Sequence, residues 1–341
     1  MQRGLTLLEL LLVMAVMGVV LGLGMGAFTA LRAPDDYALS VVRSTLRAAS
    51  NQALTRGART RVVLVREGEA EESALVPQVL FTAGTWHFES EALEGAFGVG
   101  ATTTNGRIAD DGFIGRALSL GLPGSEARFD VERDPAFDPT EGFVIELAVR
   151  PSPIDEPAGH ILDLGRVVGL DLMPDGAVRG WFAPLFPGGS VPNADAAISS
   201  FLFVETPPGV VRPGRWARLR LAYDRQSLSI DVDGRPYERL ATDLPVRPIA
   251  GLLRLSNAER QGFRGDVDKL VTAFYSSAEP VPLPEDVSFP ASAPGEIVFD
   301  ASGGLDADAH VTDVEVPVRF LDTNDTSHEG RVLVNLQGTV Q

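Results

Sequence analysis

From Leu10 to Leu31 the chain runs through twenty-two apolar or small residues without a charge. As a helix rising about 1.5 Å per residue, such a run is long enough to cross the hydrocarbon core of a bilayer. Glu9 sits inside the same apolar register, with Leu5, Leu7 and Leu8 before it. A carboxylate at that depth costs about 3 kcal/mol on insertion scales and marks a functional group by default. Only Met1-Gln2-Arg3-Gly4 stand ahead of the run. The small residue therefore precedes the apolar stretch, whereas a secretory signal carries its small-residue cleavage site after it.

Gly4-Leu5-Thr6-Leu7-Leu8-Glu9 and the run behind it resemble the N-terminal signal of type IV pilins and type II secretion pseudopilins. The resemblance implies cleavage by a prepilin peptidase between Gly4 and Leu5, N-methylation of the new Leu5 amine, and retention of the apolar helix. It departs from the commonest pattern in having Leu5 where phenylalanine is usual. Glu9 becomes the fifth mature residue, where the family carries its glutamate. A new amine buried among apolar helices needs a carboxylate partner, and such a buried pair also sets register in a filament. Leu5 and Glu9, four apart, are equally placed to pair within one chain. The alternative reading is a signal anchor with a stray acid.

The chain has no cysteine, which removes disulfides, a thiol nucleophile and cysteine-based zinc sites. Residues 1–60 hold six arginines against Glu9, Asp35 and Asp36, net +3, so residues 61–341 carry −20 of the total −17. An acidic body argues against nucleic acid as a partner. It is compatible with divalent cations and with solubility outside the cytoplasm.

From Asp35 to Arg59 apolar residues recur three and four apart, at Tyr37, Val41, Val42, Leu46, Ala49, Ala53 and Leu54. The spacing predicts an amphipathic helix ending at Gly57. In pilin terms it is the soluble half of one long helix over 5–59, whose membrane part is 5–31. Gly18, Gly22, Gly24 and Gly26 weaken that part by up to about 1 kcal/mol each, enough for partial melting in a filament.

Beyond the helix, short alternating runs separated by turn residues predict strands. They are Arg61–Val65 and Val79–Phe81 near the start, and Glu296–Phe299, Val311–Phe320 and Arg331–Val340 near the end. Their order resembles the H-type minor pseudopilins and fimbrial-type minor pilins. Between them lie about two hundred residues, themselves domain-sized, with eleven further strand patterns over 117–275. Trp86-His87-Phe88-Glu89, Gly112 to Leu120, Phe143 to Pro151, Trp216 to Asp224, Leu228 to Gly234 and Phe263 to Leu270 resemble, in order, the laminin-G-like or concanavalin A-like jelly roll. Pro280, Pro282, Pro284, Pro290 and Pro294 predict a stiff linker rather than a strand.

The expected fold class is α+β: a long N-terminal helix on a small antiparallel sheet, with an inserted all-β sandwich. The expected division is a leader at 1–4, the helix at 5–59, a pilin-like sheet from 60–81 and 295–341, the insertion at 82–279, and the linker at 280–294. Insertion at a loop tip is tolerated because closure entropy rises only logarithmically with loop length.

Catalytic patterns are absent from the sequence. His87, His160, His310 and His328 lie near no nucleophile elbow, zinc-protease helix or phosphate loop. Glu146 alternates with apolar neighbours but has no spaced acid partner of the kind a glycosidase needs. The expectation is a non-enzyme. Asp322, Asn324 and Asp325 offer oxygen ligands in a late loop and are candidates for Ca2+, set against solvated turn residues. Asp306, Asp308, Asp231 and Asp233 are further acids in loops.

The expected function is a minor pilin or pseudopilin subunit of a type IV pilus or type II secretion system. Its sandwich would recognise a glycan, a surface or a secreted protein, through loops such as Pro184 to Ala197. Its partners would be other pilins or pseudopilins, the prepilin peptidase and the inner membrane, with the C-terminal part periplasmic. The alternative is a membrane-tethered binding module that joins no filament.

Overall fold

The computed structural model describes residues 35–66, 73–90, 93, 99–131, 134–153, 158–186, 201–249, 251–257, 261–321 and 326–341. The chain divides into two compact units, one of Met1–Gln78 with Ala278–Gln341, the other of Val79–Ser277.

In the first unit, helix α1 spans 35–56. Ala38, Val42, Leu46, Ala49 and Ala53 recur three and four apart and are at most 1 % exposed. They pack on Val62 and Leu64 of β1 (Thr60–Val65), Ile297 and Phe299 of β19 (Glu296–Phe299), Val316 and Val318 of β20 (Val314–Leu321), and Val332 and Val334 of β21 (Ser327–Val334). Tyr37 and Leu54, expected on that stripe, are 63 % and 61 % exposed. Each is one residue off a stripe position, about 100° round the helix. Gly57, at φ +59°, ends α1 with Ala58 N–H donating to the Ala53 carbonyl at 3.2 Å, a Schellman-type cap. β1 runs antiparallel to β19, with Thr60 opposite Phe299, and β20 pairs with β21 as a hairpin. On the face of β1 away from α1, Arg61 is buried, with Gln78 at 2.5 Å and Glu296 at 3.4 Å.

The remaining strands follow in chain order. They are β2 (Ala74–Trp86), β3 (Ala101–Thr104), β4 (Arg107–Ala109), β5 (Ala117–Ser119), β6 (Glu126–Phe129), β7 (Phe143–Pro151), β8 (Gly159–Leu164) and β9 (Val168–Leu172). Then come β10 (Val178–Phe182), β11 (Leu202–Glu205), β12 (Ala217–Tyr223), β13 (Ser227–Val232), β14 (Arg235–Ala241), β15 (Leu253–Leu255) and β16 (Gly265–Ser277). Two-residue strands β17 (Val281–Pro282) and β18 (Val287–Ser288) complete the set.

The second unit is a sandwich of two antiparallel sheets. One has the order β14-β13-β12-β7-β16, with β5 beside β16 and β4 beside β5; the other has the order β11-β10-β9-β8-β15-β6-β3. Alternation in each strand sends one set of side chains inward. Phe143, Ile145, Leu147 and Val149 of β7 share one core with Leu219 and Leu221 of β12 and with Leu162, Leu164, Leu170 and Leu172 of β8 and β9. Trp86 is wholly buried, stacks edge-on to Phe129 at 4.7 Å, and donates its indole N–H to the Val99 carbonyl at 2.9 Å.

These elements correct the expected α+β class. Among the described residues the protein is mostly β, with twenty-one strands and one α-helix. A single amphipathic stretch carries helical periodicity, while period-two alternation recurs through both units and sets the class. The membrane part expected at 5–31 lies outside the described residues, and no described helix is long and apolar enough to cross a membrane. The proline-rich stretch is also not strand-free: Val281 and Pro282 pair with Leu75 and Ala74, and Val287 and Ser288 pair with Phe320 and Arg319. Proline at an edge keeps its carbonyl for pairing while lacking the N–H.

Candidate functional site

On the sandwich sheet that contains β7 and β16, Leu118, Val149 and Val267 point into the core. Their neighbours Ser119, Arg150 and Asp266 therefore point to the opposite face. Strand register then aligns them. Arg107 faces Ser119, Ser119 faces Asp266, and Asp266 faces Arg150, so one row crosses β4, β5, β16 and β7. Ala217 of β12 faces Val149, which brings Trp216 next to Arg150 at the end of the row. The guanidinium of Arg150 lies 4.9 Å from the Trp216 ring centroid, and Phe113 meets that ring edge-on at 6.0 Å.

This row borders a cavity of about 490 Å³ whose wall also includes Asn105, Leu122, Pro151 and Pro153. The volume suits a small ligand. Gly265 lets β16 approach β7 closely, since a Cβ there would lie 2.4 Å from the Arg150 carbonyl oxygen. Asn105 adopts φ +53° in the turn that leads from β3 to β4, a conformation asparagine tolerates better than most residues.

Arg150 is fully engaged. Its Nε and Nη2 donate to Asp266 Oδ2 at 3.0 and 2.9 Å, Nη2 also donates to the Asp111 carbonyl at 2.9 Å, and Nη1 binds the Asp111 carboxylate. Burial works to lower its pKa, but the hydrogen bonds and charges of Asp111 and Asp266 outweigh it and hold the group above its ordinary value. Asp111 and Phe113 are carried by a loop that Asp268 anchors: its wholly buried carboxylate accepts from Ile114 N–H at 3.0 Å and from Lys269 N–H at 2.7 Å. Burial raises the Asp268 pKa, against those two hydrogen bonds. Arg107, at the other end of the row, is exposed and has no hydrogen-bond or ion-pair partner among the described residues. The site thus offers a wall whose guanidinium is held by two carboxylates, one unpaired cation, and apolar flanks.

The residues singled out from sequence fall elsewhere. Gly4, Leu5, Glu9, Asp322, Asn324 and Asp325 lie outside the described residues, as do 187–197 of the expected specificity loop. Glu146 projects from the same outer face, but it pairs with Arg220 at 3.3 Å, and Arg220 also holds Asp231 at 3.0 Å. Asp233 accepts from Arg218 N–H, Asp306 pairs with Arg59 at 3.0 Å, and Asp308 N–H donates to Asp306. No three acids or histidines gather as a metal site among the described residues.

His160 lies 2.5 Å from Asp171, whose other oxygen accepts the Trp181 indole N–H at 2.9 Å. His310 accepts Val298 N–H at Nε2, and His328 contacts Asp35. The row Arg107–Ser119–Asp266–Arg150 is what sequence reasoning missed. Arg150-Pro151 and Gly265-Asp266 stood inside the jelly-roll strings, and Asn105-Gly106 is a turn dipeptide, but nothing local says that they meet.

The family model described as the prokaryotic N-terminal methylation motif matches residues 1–25. That match supports a type IV pilin or pseudopilin, a class whose subunits are processed and methylated at this segment. No curated protein matches the chain. Among solved structures, domain 4 of AbnA, a GH43 extracellular arabinanase from Geobacillus stearothermophilus determined with arabinotriose, is similar at TM-score 0.42 and 18 % identity, over 60 % of this chain and 95 % of that one. The binding domain of botulinum neurotoxin serotype D is similar at 0.43 and 8 %, over 74 % and 72 %. Trypanosoma rangeli sialidase is similar at 0.38 and 15 %, over 56 % of this chain but only 30 % of that enzyme. Similarity at these scores identifies neither a fold nor a ligand.

Proposed function

We propose that the chain is a minor pilin or pseudopilin subunit whose sandwich displays a glycan-binding site and catalyses no reaction. The observation that carries the reading is the methylation motif over residues 1–25. In this reading the prepilin peptidase cuts between Gly4 and Leu5 at the inner membrane, the periplasmic body follows, and Glu9 pairs with the Leu5 amine of its own or a neighbouring helix. The pairing neutralises two charges that would otherwise be stranded in apolar surroundings. Asp322, Asn324 and Asp325 remain the calcium candidates of the late loop.

The cavity beside Arg150 supports the binding role. It combines polar side chains held in fixed geometry with the apolar surfaces of Leu122 and Pro153, which suit the C–H face of a sugar ring. Glu146, the acid most exposed to a hydrolytic reading, is held by Arg220, which it shares with Asp231.

Mass and N-terminal analysis of the protein from its native membrane tests the processing step. A chain beginning at methylated Leu5 is expected; an intact Met1 would leave only a tethered binding module. Glu9→Ala should then abolish filament incorporation while membrane insertion persists, and normal incorporation of that variant would remove the assembly role.

A further inference from the structure

We propose that the cavity selects an acidic sugar, with Arg107 reading its carboxylate; this rests on the glycan-binding reading above. Charge is unequally compensated along the single row. At one end Arg150 lies between Asp266 and Asp111, so its guanidinium donors are already taken and its charge is more than offset. Ser119 in the middle is neutral. At the other end Arg107 lines the cavity without a partner among the described residues. The Arg150 end therefore carries one carboxylate more than its guanidinium offsets, and Arg107 is the cavity's cation with free donors.

That arrangement sits in a chain whose residues 61–341 carry a net −20. An acidic surface repels an anionic ligand at long range, so selection of one needs a local cation with free donors. A guanidinium supplies two parallel N–H groups that match a planar carboxylate. Asn105, on the turn just before β4, and Ser119, facing Arg107 across the strand pair, place neutral hydrogen-bonding groups next to it for ring hydroxyls. Leu122 is 58 % exposed and gives the ring an apolar surface. A neutral sugar could take only single hydrogen bonds to its hydroxyls from Arg107 and would forgo the bidentate, charge-assisted pair.

The test uses the full chain in detergent micelles and measures binding by titration calorimetry. The probes are oligomers of galacturonate and glucuronate, and the same oligomers after carboxyl reduction to neutral sugars. The acidic forms should bind at least tenfold more tightly, since a hydrogen bond to a charged group is worth about that much. Arg107→Gln should bring the ratio close to one. Arg235→Gln, which removes the same charge from exposed strand β14 away from the cavity, should leave the ratio intact. Equal affinity for acidic and neutral forms, a ratio untouched by Arg107→Gln, or a ratio lost equally in Arg235→Gln overturns the assignment while sugar binding stands. Binding of neither form overturns the glycan reading together with it.

Discussion

A helix closes the apolar face of the first unit, whereas in the second unit two sheets close one another. The first unit's core depends on one narrow stripe of α1 in which Ala38, Ala49 and Ala53 let the helix approach closely, and Val42 and Leu46 fill the space. The second unit's core is shared among many strands and anchored by large rings such as Trp86, Phe129, Phe137 and Phe274. Concentrated burial makes the first unit sensitive at few positions. Distributed burial spreads the load in the second, yet makes each aromatic expensive to remove. The comparison also separates signals, because Trp86, Trp181 and Trp216 all lie in the second unit and the described helix lies in the first.

Phe129→Ala should produce the largest loss, about 4 kcal/mol, by opening a cavity beside Trp86. Chemical denaturation followed by tryptophan fluorescence reads it; a loss under about 1 kcal/mol would show that the sandwich core repacks freely. Leu46→Ala should cost about 3 kcal/mol in the helix signal at 222 nm while the tryptophan transition stays in place. If both transitions move together, the two cores unfold as one cooperative unit. Gly57→Ala should cost about 1 kcal/mol in the same helix signal, because alanine is strained at φ +59° although no atom crowds the position.

The smallest expected effect concerns pH. Burial chiefly, and the Arg59 charge, lower the His310 pKa below its ordinary 6.5, against the opposing charge of Asp306. The unfolded chain therefore takes up protons more readily than the folded one as pH falls past 6.5. The contribution of neutral His310 is complete above that value and drains away as pH drops toward the folded pKa. Protonation also removes the Nε2 lone pair that accepts Val298 N–H at 2.9 Å. The helix-reported stability should fall between pH 7.5 and 5.5, and His310→Gln, whose amide oxygen does not titrate, should flatten that fall. An unchanged slope in the variant would assign the acid sensitivity to other groups.

Much of the strand pattern is legible locally. Ser227–Val232 and Glu296–Phe299 stand where alternation puts them, and the helix ends at Gly57 as its cap residue implies. Strands β3, β4 and β14 escape the same reading. Ala101–Thr104 has little apolar content, and Arg235–Ala241 is an exposed edge rich in charge, so neither shows an inward face. The cavity was less legible still. Its residues were visible as a basic residue before proline and an acid after glycine, but their meeting depends on pairings between strands far apart in the chain.

What the sequence determined by itself was the prepilin-type N-terminus, the amphipathic stretch before Gly57 and the run of short strands, because each is written in neighbouring residues and local periodicity. Tertiary structure alone decided that Arg107, Ser119, Asp266 and Arg150 form one row and that, of its two arginines, Arg150 is held by carboxylates and Arg107 is not. Register between distant strands is a property of which faces must be buried, and a shift of one residue would turn this row into the core.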